Sequence, residues 1–279
     1  MFKNTTRIAL AVLLLAAPAS AQFISDVMIV PVVAHTGGLN GTVWVTDLTI
    51  FNPMDYAVTV GIQFQPADRP LSPGQIHQST TVLGPGETMM IEDLLPTWYG
   101  LEGDLKGWVL LITRPPHVAN PYGTKVHATA RIYNTGGDEG TYGQTIPAVE
   151  ATVNVGWSSS LVTGARNDDG YRSNLGIACM NISVRANYRI TASDGTVVAE
   201  GFKDLLQWSM QQWSFDELGV GSVQGPLTVE LWMDPADATP LPCAMEFPKA
   251  FAAYVSKVDN LSGDAEFLPA VPMSPFVCD

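Results

Sequence analysis

Apolar and polar residues alternate in short runs along most of the chain, with a period of two rather than 3.6. In "TVWVTDLTIF" (42–51), Trp44, Thr46, Leu48 and Ile50 fall on one side and Val43, Val45, Asp47 and Thr49 on the other. The larger apolar side chains gather mostly on one face, as a half-buried strand requires. Similar runs are "VMIVPVVAH" (27–35), "AVTVGIQFQ" (57–65), "STTVL" (79–83), "ETMMIEDL" (87–94), "GWVLLIT" (107–113) and "KVHATARIYN" (125–134). Turn signals divide the runs, at "NPMD" (52–55), "GPGE" (84–87) and "SDG" (193–195). Nowhere do apolar residues hold a helical period for three turns. "IEDLL" (91–95) and "FDELG" (215–219) predict single helical turns at most.

The chain also matches itself. Thr46-Asp47-Leu48 falls on Ser173-Asn174-Leu175, with Trp44 on Tyr171, and Ile91-Glu92-Asp93-Leu94 falls on Phe215-Asp216-Glu217-Leu218. "ARIYNTGGD" (130–138) falls on "SKVDNLSGD" (256–264), and "IPAV" (146–149) on "LPAV" (268–271). These ordered matches, at nearly constant offset, predict a duplication with its boundary within 150–160. Short strands, regular turns and almost no helix point to an all-β chain. The expected fold is two tandem immunoglobulin-like antiparallel β-sandwiches, over 22–155 and 156–279. Closure into a barrel is the rival arrangement.

The N-terminus sets the compartment. "MFKNTTR" is basic, "IALAVLLLAA" is an apolar run, and Ala19 and Ala21 form an A-x-A site. This three-part pattern predicts a signal peptide over 1–21, cleaved after Ala21, and a periplasmic or extracellular protein. The apolar run falls short of the roughly 20 residues a membrane-spanning helix needs. The C-terminal "PAVPMSPFVCD" carries no hydrophobic tail, so neither membrane insertion nor anchoring is expected.

Losing Lys3 and Arg7 with the leader takes the formal charge from −13 to −15. Such an acidic surface repels phosphate backbones and anionic membranes, which removes nucleic acid from the expected partners. With 46% hydrophobic and 15% charged residues, the composition is that of a chain with a sizeable core, not of a disordered one. Three cysteines, Cys179, Cys243 and Cys278, lie in the second half without C-x-x-C spacing. In an oxidising compartment one disulfide and one remaining thiol are expected. An up-and-down strand order brings Cys179 and the loop bearing Cys243 to one pole. That makes Cys179–Cys243 the expected bridge and Cys243–Cys278 the alternative.

One resemblance is carried by "VPVVAHTGGLNGTVWVTDLTIFNP", "GPGETMMIEDLL" and "ARIYNTGGDEGTYGQTIPA". The first copy resembles an immunoglobulin-like module, often in tandem, of secreted bacterial proteins. That module carries a "TDL-x-hydrophobic-x-N-P" strand and turn, a "PPG-x-T" turn and a "GTYGQ-x-IPA" segment. The second copy departs from it: Cys179 stands where Asn52 does, and "GTYGQ" is missing. The resemblance implies a fold and an exported location, and it brings no catalytic residue.

Chemistry is sparse. His35, His77, His117 and His127 show no metal-ligand spacing, and no G-x-S-x-G or phosphate-binding loop occurs. No catalytic residue and no cofactor is expected. "NDDG" (167–170) and "GGDEG" (136–140) are oxygen-rich turns of a kind that can hold calcium, though without EF-hand spacing. Aromatic residues stand out at Trp98, Tyr99 and Trp108, and at Trp208 and Trp213. They are either core residues or an exposed stacking surface. The leading expectation is a non-catalytic structural or interaction protein with a protein or cell-surface partner. The alternative is a carbohydrate-binding module using those five aromatics on a polysaccharide.

Overall fold

In the computed structural model, which describes residues 24–38, 41–67, 76–114, 124–135, 141–151, 159–180, 183–234 and 251–273, all seven first-half runs form strands. They are β1 (Val27–Gly37), β2 (Val43–Phe51), β3 (Val58–Pro66), β4 (His77–Leu83), β5 (Thr88–Ile91), β6 (Leu105–Arg114) and β7 (His127–Asn134). β8 (Tyr142–Pro147) and β9 (Val149–Glu150) follow. The second half continues with β10 (Ser160–Asn167), β11 (Tyr171–Cys179), β12 (Val184–Ala192), β13 (Val197–Leu205) and β14 (Met210–Ser214). It ends with β15 (Val223–Met233), β16 (Phe251–Asp259), β17 (Ala265–Pro269) and β18 (Val271–Pro272). The predicted leader over 1–21 lies outside the described residues. No helix among the described residues is long and apolar enough to cross a membrane.

One short helix, α1 (Leu94–Tyr99), stands where at most a single turn at 91–95 was expected. Pro96 does not break it, because the N–H groups of a helix's first turn have no intrahelical partner to lose. Gly100, at φ 65°, closes it and donates its amide to the Pro96 carbonyl. Residues 215–219 form turns, as expected.

Every strand pairing is antiparallel, and the pairing order recurs. In the first half β4-β3-β6-β1 and β2-β7-β8 lie in sequence, with β9 beside β1 and β5 beside β2. In the second half the sheets run β13-β12-β15-β10-β18 and β14-β11-β16-β17. Each second-half pairing matches one nine strands earlier. The halves differ at β1, which joins β2 through Thr36 and Gly37 and so links the two first-half layers into one sheet. β1 also carries an irregularity between Val30 and Val33. It falls at Pro31, which has no amide for a ladder.

Side-chain detail recurs as well. The Thr46 hydroxyl accepts from the Ala34 amide at 2.7 Å and donates to its carbonyl at 2.8 Å. Ser173, its predicted counterpart, does the same to Arg166 at 3.1 and 2.6 Å. The "IPAV" and "LPAV" segments are also equivalent, since Ile29 faces Val149 as Leu161 faces Val271. Two overlays need correction. Asp47 faces Arg131 but Asn174 faces Ser256, so the "ARIYNTGGD" overlay is one residue out. Leu48 faces Ile91 but Leu175 faces Trp213, so the equivalent of Ile91 is Trp213, not Phe215. Inward packing fixes strand register, and loops of unequal length absorb the slack that a motif match ignores.

The core is not confined to either half. One cluster joins Met28, Leu48, Phe64 and Leu111 to Ala178, Met180, Met210, Ala252 and Tyr254 of the second half. A second cluster, around Leu175, Phe215, Leu231 and Val255, lies wholly in the second half. β11 is buried almost throughout its C-terminal end, because one face meets each cluster.

Candidate functional site

The five singled-out aromatics occupy three places rather than one surface. Tyr99 of α1 donates its hydroxyl to the Ile62 carbonyl at 3.0 Å, beside Phe64 and His77. Burial holds its phenol protonated far above the ordinary range. Trp98 is half-buried, with an indole Nε1 that has no hydrogen-bond partner among the described residues. Trp108 is 0% exposed, which corrects its place in a ligand surface. Its ring stacks on Trp208 with centroids 6.0 Å apart and an 8° tilt. Trp208 takes a left-handed φ of 60°, and its amide donates to the Met180 carbonyl at 2.7 Å. This pair clasps β6 to the turn before β14. Trp213, half-buried in β14, carries the Lys203 ammonium 5.0 Å above its ring.

Polar side chains cluster where sequence spacing gave no sign. Asp47 Oδ1 accepts from the Asp93 amide at 2.9 Å and from the Tyr133 hydroxyl at 3.2 Å. Asp93 Oδ1 in turn lies 2.9 Å from His35 Nδ1. Burial, and then the Asp47 carboxylate, push the Tyr133 phenol up. The cluster holds Asp93 at its left-handed φ of 43°, just ahead of α1. In the "NDDG" turn, Asp168 Oδ1 accepts from the Gly170 and Tyr171 amides at 2.9 and 3.1 Å. Its Oδ2 meets Arg166 at 2.8 Å. These oxygens serve the turn itself. "GGDEG" lies outside the described residues, and no group of three or more metal-ligating side chains occurs among them.

Cys179 ends β11 directly opposite Phe251, where the chain returns after β15. Burial pushes its thiol up to about 12. Cys243 and Cys278 lie outside the described residues.

Two surfaces remain as candidates. The first is the exposed face of β13-β12-β15. Asn187 faces Phe202 on one side and Trp232 on the other, giving an aromatic-amide-aromatic row across three strands. Arg185 lies 4.1 Å above the Phe202 ring and pairs with Asp204 at 2.7 Å. Arg189 lies 5.4 Å above the Trp232 ring and pairs with Glu200 at 3.0 Å and Glu230 at 3.5 Å. Phe202 is 51% exposed. Sequence reasoning missed this face. Its signal is the period-two run "VRANYRI" (184–190), where Arg185, Asn187 and Arg189 alternate with the buried Val184, Ala186, Tyr188 and Ile190.

The second is a cleft of about 240 Å³ between the halves, with β1 and β2 on one side and β11, β14 and β16 on the other. Gln144 of β8 spans it, donating to Ser256 Oγ at 3.3 Å. No protein-family model and no curated protein matches the chain.

Proposed function

We infer that this is an exported, non-catalytic interaction protein of two immunoglobulin-like sandwiches, and that it docks a folded protein through the exposed face of β13-β12-β15. The repeated strand order and the Thr46 and Ser173 bridges support the two-sandwich reading. The three-part N-terminal pattern supports export.

The observation that carries the docking role is the row Phe202-Asn187-Trp232 flanked by Arg185 and Arg189. Aromatic residues and arginine are the residue types enriched in protein interfaces, and they supply most binding hot spots. Here the guanidinium groups are already held over the rings, so little side-chain freedom is lost on docking. Acids beside both arginines give a surface of mixed sign, which favours a protein partner over a polyanion.

Affinity capture with the mature protein from a native envelope fraction, compared with Arg189→Ala/Trp232→Ala, tests this. A partner held by the wild type and lost from the double variant is expected. A partner held equally by both would overturn the assignment of the face.

A further inference from the structure

The cleft between the halves has a lining unlike the rest of the molecule. The chain holds 27 Asp and Glu against 14 Lys and Arg, yet among the described residues no carboxylate lines the cleft. Its polar lining comes from Thr36, Lys106, Gln144, Asn174, Gln212 and Ser256. Three of these are primary amides, which both donate and accept, as a sugar hydroxyl does. The side chains of Asn174 and Gln212 make no hydrogen bond to the described residues, although they stand on adjacent strands at one end of the floor.

The half-buried indole of Trp44 adds apolar surface to the same walls. Apolar C–H faces beside polyhydroxyl edges are what distinguish a pyranose from other small polar molecules.

Tyr254 is the independent sign of a ligand. It is 0% exposed, it lines the cleft, and its hydroxyl has no hydrogen-bond partner among the described residues. Buried hydroxyls are normally satisfied, so an orphan beside a cleft marks a position awaiting a polar guest. Gly176 makes room for it: a Cβ there would lie 2.4 Å from the Tyr254 hydroxyl and 2.1 Å from Cζ.

Size and charge narrow the guest. The volume is below the roughly 300–1,000 Å³ of sites for drug-sized ligands, so one small unit fits. Lys106 is the one cation among the described lining residues, and the remaining polar groups are uncharged amides and hydroxyls. We propose that this cleft binds one pyranose unit of a neutral glycan, held by the amides of Gln144, Asn174 and Gln212 against the Trp44 indole, beside the Tyr254 hydroxyl.

Saturation-transfer NMR on the mature full-length protein tests the site, with methyl glucoside, galactoside and mannoside as neutral probes and glucuronate as the anionic one. Transfer from at least one neutral glycoside is expected, weakened at least tenfold in Asn174→Ala/Gln212→Ala. Both side chains are half-buried at the cleft wall, so the thermal midpoint of that variant should match the wild type and keep a loss of transfer interpretable. Should the variant unfold, the single Gln212→Ala change gives the same comparison. No transfer from any probe, transfer that the variant retains, or transfer from glucuronate alone would overturn the proposal.

Discussion

Asn52 is wholly buried, and its Nδ2 serves the carbonyls of Tyr56, Leu83 and Gly84 at 2.8, 3.1 and 2.9 Å. Its Oδ1 accepts from the Met54 amide at 2.9 Å, so one side chain ties the "NPMD" turn to the "GPGE" turn. Asn52→Ala strands those carbonyls and should cost roughly 2–4 kcal/mol by denaturant unfolding, since each buried orphan costs about 1–3 kcal/mol. The same backbone contact survives in the second half, where the amide of buried Cys179 donates to Ser209 as that of Asn52 does to Glu87. The turn at Asn52 was legible from N-P. Its three acceptors were not, because two lie more than thirty residues away in the chain.

Asp168 gives a pH dependence at the same scale. Burial pushes this carboxyl up, but Arg166 and the Gly170 and Tyr171 amides outweigh it and hold the group below 3.8. A folded pKa below the unfolded value adds stability above that value, lost as pH falls through the folded one. The denaturant midpoint should therefore drop below about pH 4, and less steeply in Asp168→Asn. Equal slopes would remove Asp168 from the acid response.

Cys179 has its own expected outcome. Cys179 ends β11 opposite Phe251, the first residue of β16. Non-reducing peptide mapping tests the sequence-based expectation of a Cys179–Cys243 bridge. In the chain-entropy view it stabilises the protein by about 4 kcal/mol. Three thiols, or Cys179 joined to Cys278, would contradict this.

At the level of elements, the strands were the legible part, because alternation over β2, β3 and β7 follows directly from one buried face each. β11 shows the limit. Its run "LGIAC" is buried residue after residue, since the other half covers the face that period-two reasoning leaves to water. Trp108 misleads for the same reason: nothing local reveals that Trp208, a hundred positions on, lies against it. Trp108→Ala should cost roughly 3–5 kcal/mol, as large aromatic truncations in cores do. It should also divide unfolding in two. Calorimetry of the wild type is expected to show one transition, and of the variant two, because the shared cluster couples the halves. Two transitions in the wild type would show that the seam does not couple them.

For the whole molecule, the same strand order carries different surfaces in its two halves. The face of β13-β12-β15 bears the ladder of arginines, acids and aromatic rings. The corresponding β4-β3-β6 face includes the buried Trp108 and Gln65, which sit opposite each other. The burial is confined to the β6 side, since Val82 of β4 is 60% exposed on that face, whereas the second-half copy carries its row across all three strands, as the proposed docking role requires. Cross-linking and hydrogen-exchange mass spectrometry of the protein with the envelope fraction proposed as its location tests this most directly. Intermolecular cross-links and amide protection should fall on 184–192, 197–205 and 223–233, with the carboxylates of Glu200, Asp204 and Glu230 as the reactive side chains of that face. Cross-links confined to the first half, with that face still exchanging freely, would contradict it.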